Sequence, residues 1–353
     1  MMQPSTSKLV AGGIRWGALP LLVATQLILL AQLSPAPRKI GYIEFFGYRG
    51  LDLLAIRKLL PFREGDTSGS MLKDETRSAV ERVTGRKATD VYVVCCTGRG
   101  ELSIFIGLPG ASSRPFTFEP AAHGAVSLPA ELTRLYEAMD RAETEAARRS
   151  LAEEDRPVGY RLSKEPVARA AEISFRAYGL GHEEEIVNVL RSSGDDRQRA
   201  IAADALGFGA RTPRQVAALV RPARDPDEVV RNNATRALME ILRGDSATAS
   251  QISPDNFIDM IRSGTWTDRN KGSAVLSLLT QSPDPVLLRR IQSEAGDALL
   301  EMARWREFGR AQAARLILAR IEGKSDSRAY LDMVPGSVWG SAALAVFVSG
   351  SLA

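Results

Sequence analysis

The side chains best suited to chemistry are two adjacent cysteines, Cys95 and Cys96, at the end of TDVYVVCC. Such a pair could cycle between thiols and a disulfide, or contribute to a metal site. Neighbouring side chains leave a strand on opposite faces, so they can bridge only through a strained ring. The expectation is one buried cysteine acting as a small hydrophobe and one nearby thiol, with redox use of the pair as the alternative. They are the chain's two cysteines, too few for the disulfide framework of a small exported domain. Two histidines, His123 and His182, have no Cys, Asp or second His at ligand spacing, so neither a metal nor a cofactor is expected. Ser70 and Lys73 stand at S-x-x-K spacing, but the companion motifs of such a nucleophile are absent. Glu183, Glu184 and Glu185 open a helix, where acids suit the dipole better than they suit acid–base work. No phosphate loop, dinucleotide fingerprint or nucleophile elbow occurs. With no catalytic constellation, the chain reads as a non-enzyme.

The elements that carry these residues are mostly helices, and they repeat. Residues 225–242 read DPDEVVRNNATRALMEIL. Asp225 is the expected cap, Pro226 fits the first helical position, and Glu228 completes a capping box. Val230, Ala234, Ala237, Leu238 and Ile241 then fall on one stripe of an amphipathic helix. DDRQRAIAADALG repeats the pattern 32 residues earlier (234 − 202), pairing Arg199 with Arg231 and Asp195 with Asp227. Ala171, Ser174 and Phe175 form an earlier copy; Gly272, Val275 and Leu276, with Arg269 on the Arg231 position, form a later one. Ala314, Ile317 and Leu318 close the series. Second helical patterns such as EEEIVNVLRS, TPRQVAALVRPA and SPDNFIDMIRSG lie between the copies. A helix pair recurring every thirty to forty residues predicts an α-solenoid, in which stacking supplies the core that no single unit has.

The spacing of Asp227, Val230, Arg231, Ala234, Ala237 and Leu238 resembles the HEAT-repeat family, in the short form also seen in phycobilisome lyases. The resemblance spans residues 163–322, within a repeat domain drawn at 163–323, and weakens outward, where Gly272 replaces alanine. It implies a solenoid that binds protein, with polar motif positions bridging neighbouring repeats. Asp195, Arg199, Asp227, Arg231 and Arg269 are therefore scaffold residues first. Read locally, Asp195 with Arg199 and Asp227 with Arg231 are also i,i+4 pairs. The partner-binding candidates are outward residues of the second helices, lining a concave face, with Asn232 and Arg236 as the choices. Asn233 and Thr235 spell a glycosylation sequon in letters only, since they lie inside a packed helix.

Residues 37–110 have another rhythm. KIGYIEFFG, TDVYVVCC and ELSIFIGL read as strands, and LLAIRKLL and MLKDETRSAVERV as helices. The order β-α-α-β-β, with IGYIEFFGYRGLD, IRKLLPFREGD and GRGELSIFIG, resembles a POTRA domain. That likeness implies docking through a strand edge. Residues 111–162 form a connector containing a helix over 129–150, and residues 324–353 a terminal cap or apolar tail.

The N-terminal 36 residues have Lys8 and Arg15 before an uncharged run from Trp16 to Pro37. This is the pattern of a secretory signal, and the run is also long enough to serve as an uncleaved anchor. The expected location is thus periplasmic or secreted, with an inner-membrane anchor as the alternative. The net charge is +4 and lacks any basic block, so nucleic acid is not an expected partner. The reading is an exported bacterial scaffold or adaptor for an unidentified protein. Its alternatives are a lyase-like repeat enzyme and a thiol-redox protein using Cys95 and Cys96.

Overall fold

The computed structural model describes residues 38–333, apart from 70, 150, 152 and 156–159. The expected export segment, Ser70 and the apolar tail from 334 onward lie outside the described residues. The chain starts with β1 (Ile40–Phe46), α1 (Leu53–Leu59), α2 (Leu72–Thr84), β2 (Asp90–Cys95) and β3 (Leu102–Gly107). This is the predicted order. Asp52 caps α1 by accepting from the N–H groups of Leu54 and Ala55. β3 lies in the middle, parallel to β1 and antiparallel to β2. The parallel pair needs a long crossover, which α1, α2 and β2 provide.

Both faces of this sheet are covered. Side chains alternate along a strand, so Val91, Ile104 and Ile106 pack with Ile56, Ala79 and Val80 of the two helices. Phe105, between Ile104 and Ile106, joins Phe46 in the core of the following helices, with Tyr92 and Val94 packed against it.

α3 (Ala130–Arg148) follows, then a short hairpin of β4 (Glu154–Asp155) and β5 (Leu162–Ser163). Helix pairs come next: α4 (Pro166–Gly181) with α5 (Glu183–Ser192), α6 (Asp196–Gly207) with α7 (Pro213–Val220), and α8 (Glu228–Gly244) with α9 (Asp255–Arg262). α10 (Trp266–Leu279) with α11 (Pro285–Ala303), and α12 (Phe308–Ile321) with α13 (Asp326–Met333), complete the solenoid. α6, α8, α10 and α12, which carry the recurring motif, pack in succession as one layer. Ala202, Ala205, Ala234 and Ala237 are all buried, and their small side chains let the layer close up. Gly272 departs from the alanine pattern for the same reason. A Cβ there would sit 2.7 Å from the Met260 Cβ and 3.0 Å from the Phe257 carbonyl oxygen of α9.

Residues 111–128 form a strap laid across the solenoid, touching successive repeats in reverse order. The Arg114 N–H donates to the Arg262 carbonyl (2.8 Å), Glu119 N–H to the Arg224 carbonyl (2.8 Å), and Gly124 N–H to the Ser192 carbonyl (2.7 Å). A side chain at Gly124 would strike that same Ser192 oxygen. The strap delivers α3 to pack against α4 at the other end of the repeats. Among the described residues, no helix is long and apolar enough to cross a membrane.

Candidate functional site

The motif arginines set the frame. Asp227 and Asp195 are the N-caps of α8 and α6, accepting from the N–H groups of Val230 and Gln198. Asp225, expected as the cap of α8, lies further out in the turn and takes another role. The expected i,i+4 pairs do not form, because a capping carboxylate turns back over its own helix end while the arginine reaches to the next repeat. Arg199 makes a forked pair with Asp225, at 2.8 and 2.9 Å. Arg231 does so with Asp268, at 2.9 and 3.3 Å. Each also donates to the carbonyl six residues before it, Arg199 to Ser193 (2.9 Å) and Arg231 to Asp225 (2.8 Å). A planar guanidinium can fork onto a carboxylate with two nitrogens and still donate to a carbonyl, a geometry that the single nitrogen of a lysine cannot match. Phe118 of the strap lies 4.8 Å below the Arg231 guanidinium.

Arg269 keeps the same backbone contact, donating to the Ser263 carbonyl (2.7 Å), but its acid is Glu301 of α11, at 3.1 Å. Glu301, 3% exposed, is a hub. Its carboxylate accepts from the N–H groups of Gly47 (2.7 Å), Tyr48 (2.9 Å) and Arg49 (3.1 Å), and from the Ser112 hydroxyl (2.5 Å). Arg269 completes the junction by donating to the Ser112 carbonyl (2.7 Å) and lying 4.9 Å over the Phe46 ring. Beside it the Trp305 indole N–H donates to the Phe45 carbonyl (3.1 Å), and Arg306 pairs with Glu44 and Glu64. Sequence reasoning missed Glu301. Its signal was an acid three residues past Ala298, within the apolar stripe of α11.

This junction seats the sheet beside the motif layer and leaves a cleft of about 300 Å³. β2 forms one wall, from Tyr92 to Cys95; Asn232 of α8, Asn270 and Lys271 of α10, and Arg310 of α12 form the rest. Trp266 is its floor, stacked on Tyr92 with ring centres 4.5 Å apart and with the Arg310 guanidinium 5.5 Å from its centre. The Trp266 backbone N–H donates to Asp90 (2.8 Å), and Thr267 donates to Glu228 (2.6 Å). Burial, reinforced by Glu228, pushes the Asp90 carboxyl up to about 6. Burial, together with the Arg236 and Arg310 charges, pulls the Lys271 amine down to about 7.

The sequence candidates fall into three groups. Asn232 and Cys95 line this cleft although they come from different regions of the chain. Asn232 is on a motif helix, not on a second helix as expected, because the motif helices form the layer beside the sheet. Arg236 is engaged by Glu154 of β4, at 2.6 Å. Asp195, Arg199, Asp227, Arg231 and Arg269 hold the frame. Cys95 is exposed and Cys96 half-buried, with their sulfurs in bonding contact. Arg38 donates to the Cys96 sulfur (3.3 Å). His123 lies on the strap, and His182 stacks on Tyr178 with 4.0 Å between ring centres. The Asn233 amide is used internally, donating to the Ala200 carbonyl (3.0 Å). Among the described residues, no group of three or more His, Cys, Asp or Glu side chains is placed to hold a metal ion.

A family model for HEAT repeats matches residues 183–271, from the start of α5 into α10. No curated protein matches the chain significantly. With the helix pairs and the recurrent motif, the match makes this segment a HEAT-repeat α-solenoid, an architecture that commonly serves as a scaffold for protein–protein contacts.

Proposed function

We propose that the protein is an exported, non-enzymatic adaptor of the cell envelope that holds a protein partner in the cleft between β2 and helices α8, α10 and α12. The observation that carries this reading is the junction at Glu301. It fixes the sheet against the repeats by gathering three N–H groups that follow β1, the Ser112 hydroxyl of the strap and Arg269 of α10 on one carboxylate, so the cleft walls are held in a set geometry. A preformed surface binds with less loss of conformational freedom than one assembled on contact. The basic and apolar pattern at residues 1–36 supports export. The strand and helix order at 37–110 supports an envelope module of POTRA type.

The test uses the full chain, because removing the front domain would strip Glu301 of its partners. A photo-cross-linking residue is placed at Asn270 or Asn232 in the cleft, and at Arg214 on α7 as the outside control. The reading expects one and the same protein from both cleft positions in envelope extract and none from position 214. Adducts only at 214, or none anywhere, would remove the cleft as the docking site. A reporter active only outside the cytoplasm, fused after residue 333, tests export; an inactive fusion confines the protein to the cytoplasm.

A further inference from the structure

Among the described residues, the cleft lining carries no negative charge. Lys271 has no hydrogen-bond or ion-pair partner among the described residues, although every other charged group around it is engaged. Arg236 pairs with Glu154, Arg243 with Glu240, Arg310 with Glu307, Asp90 accepts from Trp266, and Glu228 accepts from Thr267. The indole N–H of Trp266, a residue 5% exposed, is also buried without an acceptor. The indole N–H is closed off inside the floor, so the donor open to a ligand is the Lys271 amine. Lys271 and Arg310 are the charged side chains that line the cleft, and both are cations. A group that accepts several hydrogen bonds and carries negative charge answers both cations, and a carboxylate is such a group.

A neighbouring apolar wall narrows the source. Val94 of β2 flanks the cations, and Tyr92 covers the floor. A small free anion would leave that wall unused, whereas an extended segment of protein would cover it with aliphatic side chains and still present its acids to Lys271 and Arg310.

We infer that the cleft recognises an acidic segment of a partner protein, with an Asp or Glu carboxylate of that segment bound by Lys271 and Arg310. This rests on the cleft being the docking site proposed above. An unpaired lysine held near neutrality by burial and by Arg236, Arg310 and Arg243, with Glu154 opposing, becomes fully charged when a carboxylate arrives. Binding then takes up a proton, so affinity falls as pH rises from about 6 to 8.

The experiment measures anisotropy of a labelled, end-blocked peptide of alternating Glu and Val against the full chain, with the Gln–Val peptide as its neutral twin. Inorganic phosphate and glutarate serve as small-anion probes. The Glu peptide is expected to bind at least about tenfold more tightly than the Gln peptide, the factor of one charge-assisted contact. Lys271→Met and Lys271→Gln should each remove about tenfold and abolish the pH slope, with unchanged circular dichroism. Phosphate and glutarate should compete only weakly.

Equal binding of the two peptides, or an unaltered affinity and pH slope in both folded Lys271 variants, overturns the inference. Phosphate binding as tightly as the peptide overturns it too, in favour of a small-anion site. If position 270 still cross-links a partner while the peptides are indistinguishable, the acidic-segment inference falls and the adaptor reading stands. Charge- and Lys271-dependent peptide binding without any envelope cross-link supports the acidic-segment site and removes the adaptor reading.

Discussion

Arg231 and Arg269 occupy the same position of the repeated motif, yet they bind different parts of the molecule. Arg231 joins its own turn to Asp268 of the next motif helix, so its contacts stay within the solenoid and its strap. Arg269 keeps the contact to its own turn but hands its charge to Glu301, which also holds three backbone N–H groups following β1. One residue type at one register thus serves repetition in the middle of the array and attachment at its end. The difference lies in the acid. Asp268 sits in the first turn of α10, whereas Glu301 lies late in a long helix and reaches the sheet.

That contrast is most strongly tested by Glu301→Gln. It leaves Arg269, which has no exposed surface, without its counter-charge, and should destabilise the protein by about 3–5 kcal/mol. Chemical denaturation gives the size, and hydrogen exchange gives the place. Faster exchange is expected in both β1 and α11; a change confined to α10 and α11 would show that the sheet does not depend on this carboxylate. Arg231→Met should cost about 3 kcal/mol by leaving Asp268 buried and unpaired, with exchange rising around α8 and α10 but not in the sheet. Adding Asp268→Leu should recover much of that loss, and a double-mutant cycle with additive effects would deny the pairing.

A smaller effect comes from the cleft edge of the junction. Asp90 has its folded pKa raised to about 6 from 3.8, so the folded state holds the proton more tightly than the unfolded chain. Its contribution is complete below about pH 4 and is lost as pH rises through 6. Asp90→Asn retains an oxygen for the Trp266 N–H and should gain about 1 kcal/mol at pH 7, with no gain at pH 4. Stability curves at the two pH values check this; an equal effect at both would rule out titration as the cause. The least costly change is Arg236→Ala. Its partly exposed pair with Glu154 is worth under about 1 kcal/mol, so a thermal midpoint lowered by many degrees would mark the β4 hairpin as structural.

How far the sequence could be read follows the same divide. The alanine stripe was legible because it depends on neighbours within a few helical turns, and the 32-residue offset because the pattern recurs; the cap was placed two residues early, at Asp225 instead of Asp227, since the local letters D-P-D fit either start. The strap was legible only as a connector: its Pro, Gly and Ser composition marks irregular backbone but says nothing of the carbonyls that receive it. The cleft was half legible. Asn232 and Cys95 were each singled out, but their meeting was not visible, and Lys271 and Trp266 carried no local signal at all.

The sequence by itself determined the helix pairs, their repetition and the strand order of the front domain, since periodicity and capping are local properties of a chain. Tertiary structure alone decided that one face of the sheet joins the solenoid core, that Arg269 pairs with Glu301, and that Lys271 faces an open cleft. Those outcomes depend on contacts between residues far apart in sequence, such as Gly47 with Glu301, and on which charges are left over when burial has paired the rest.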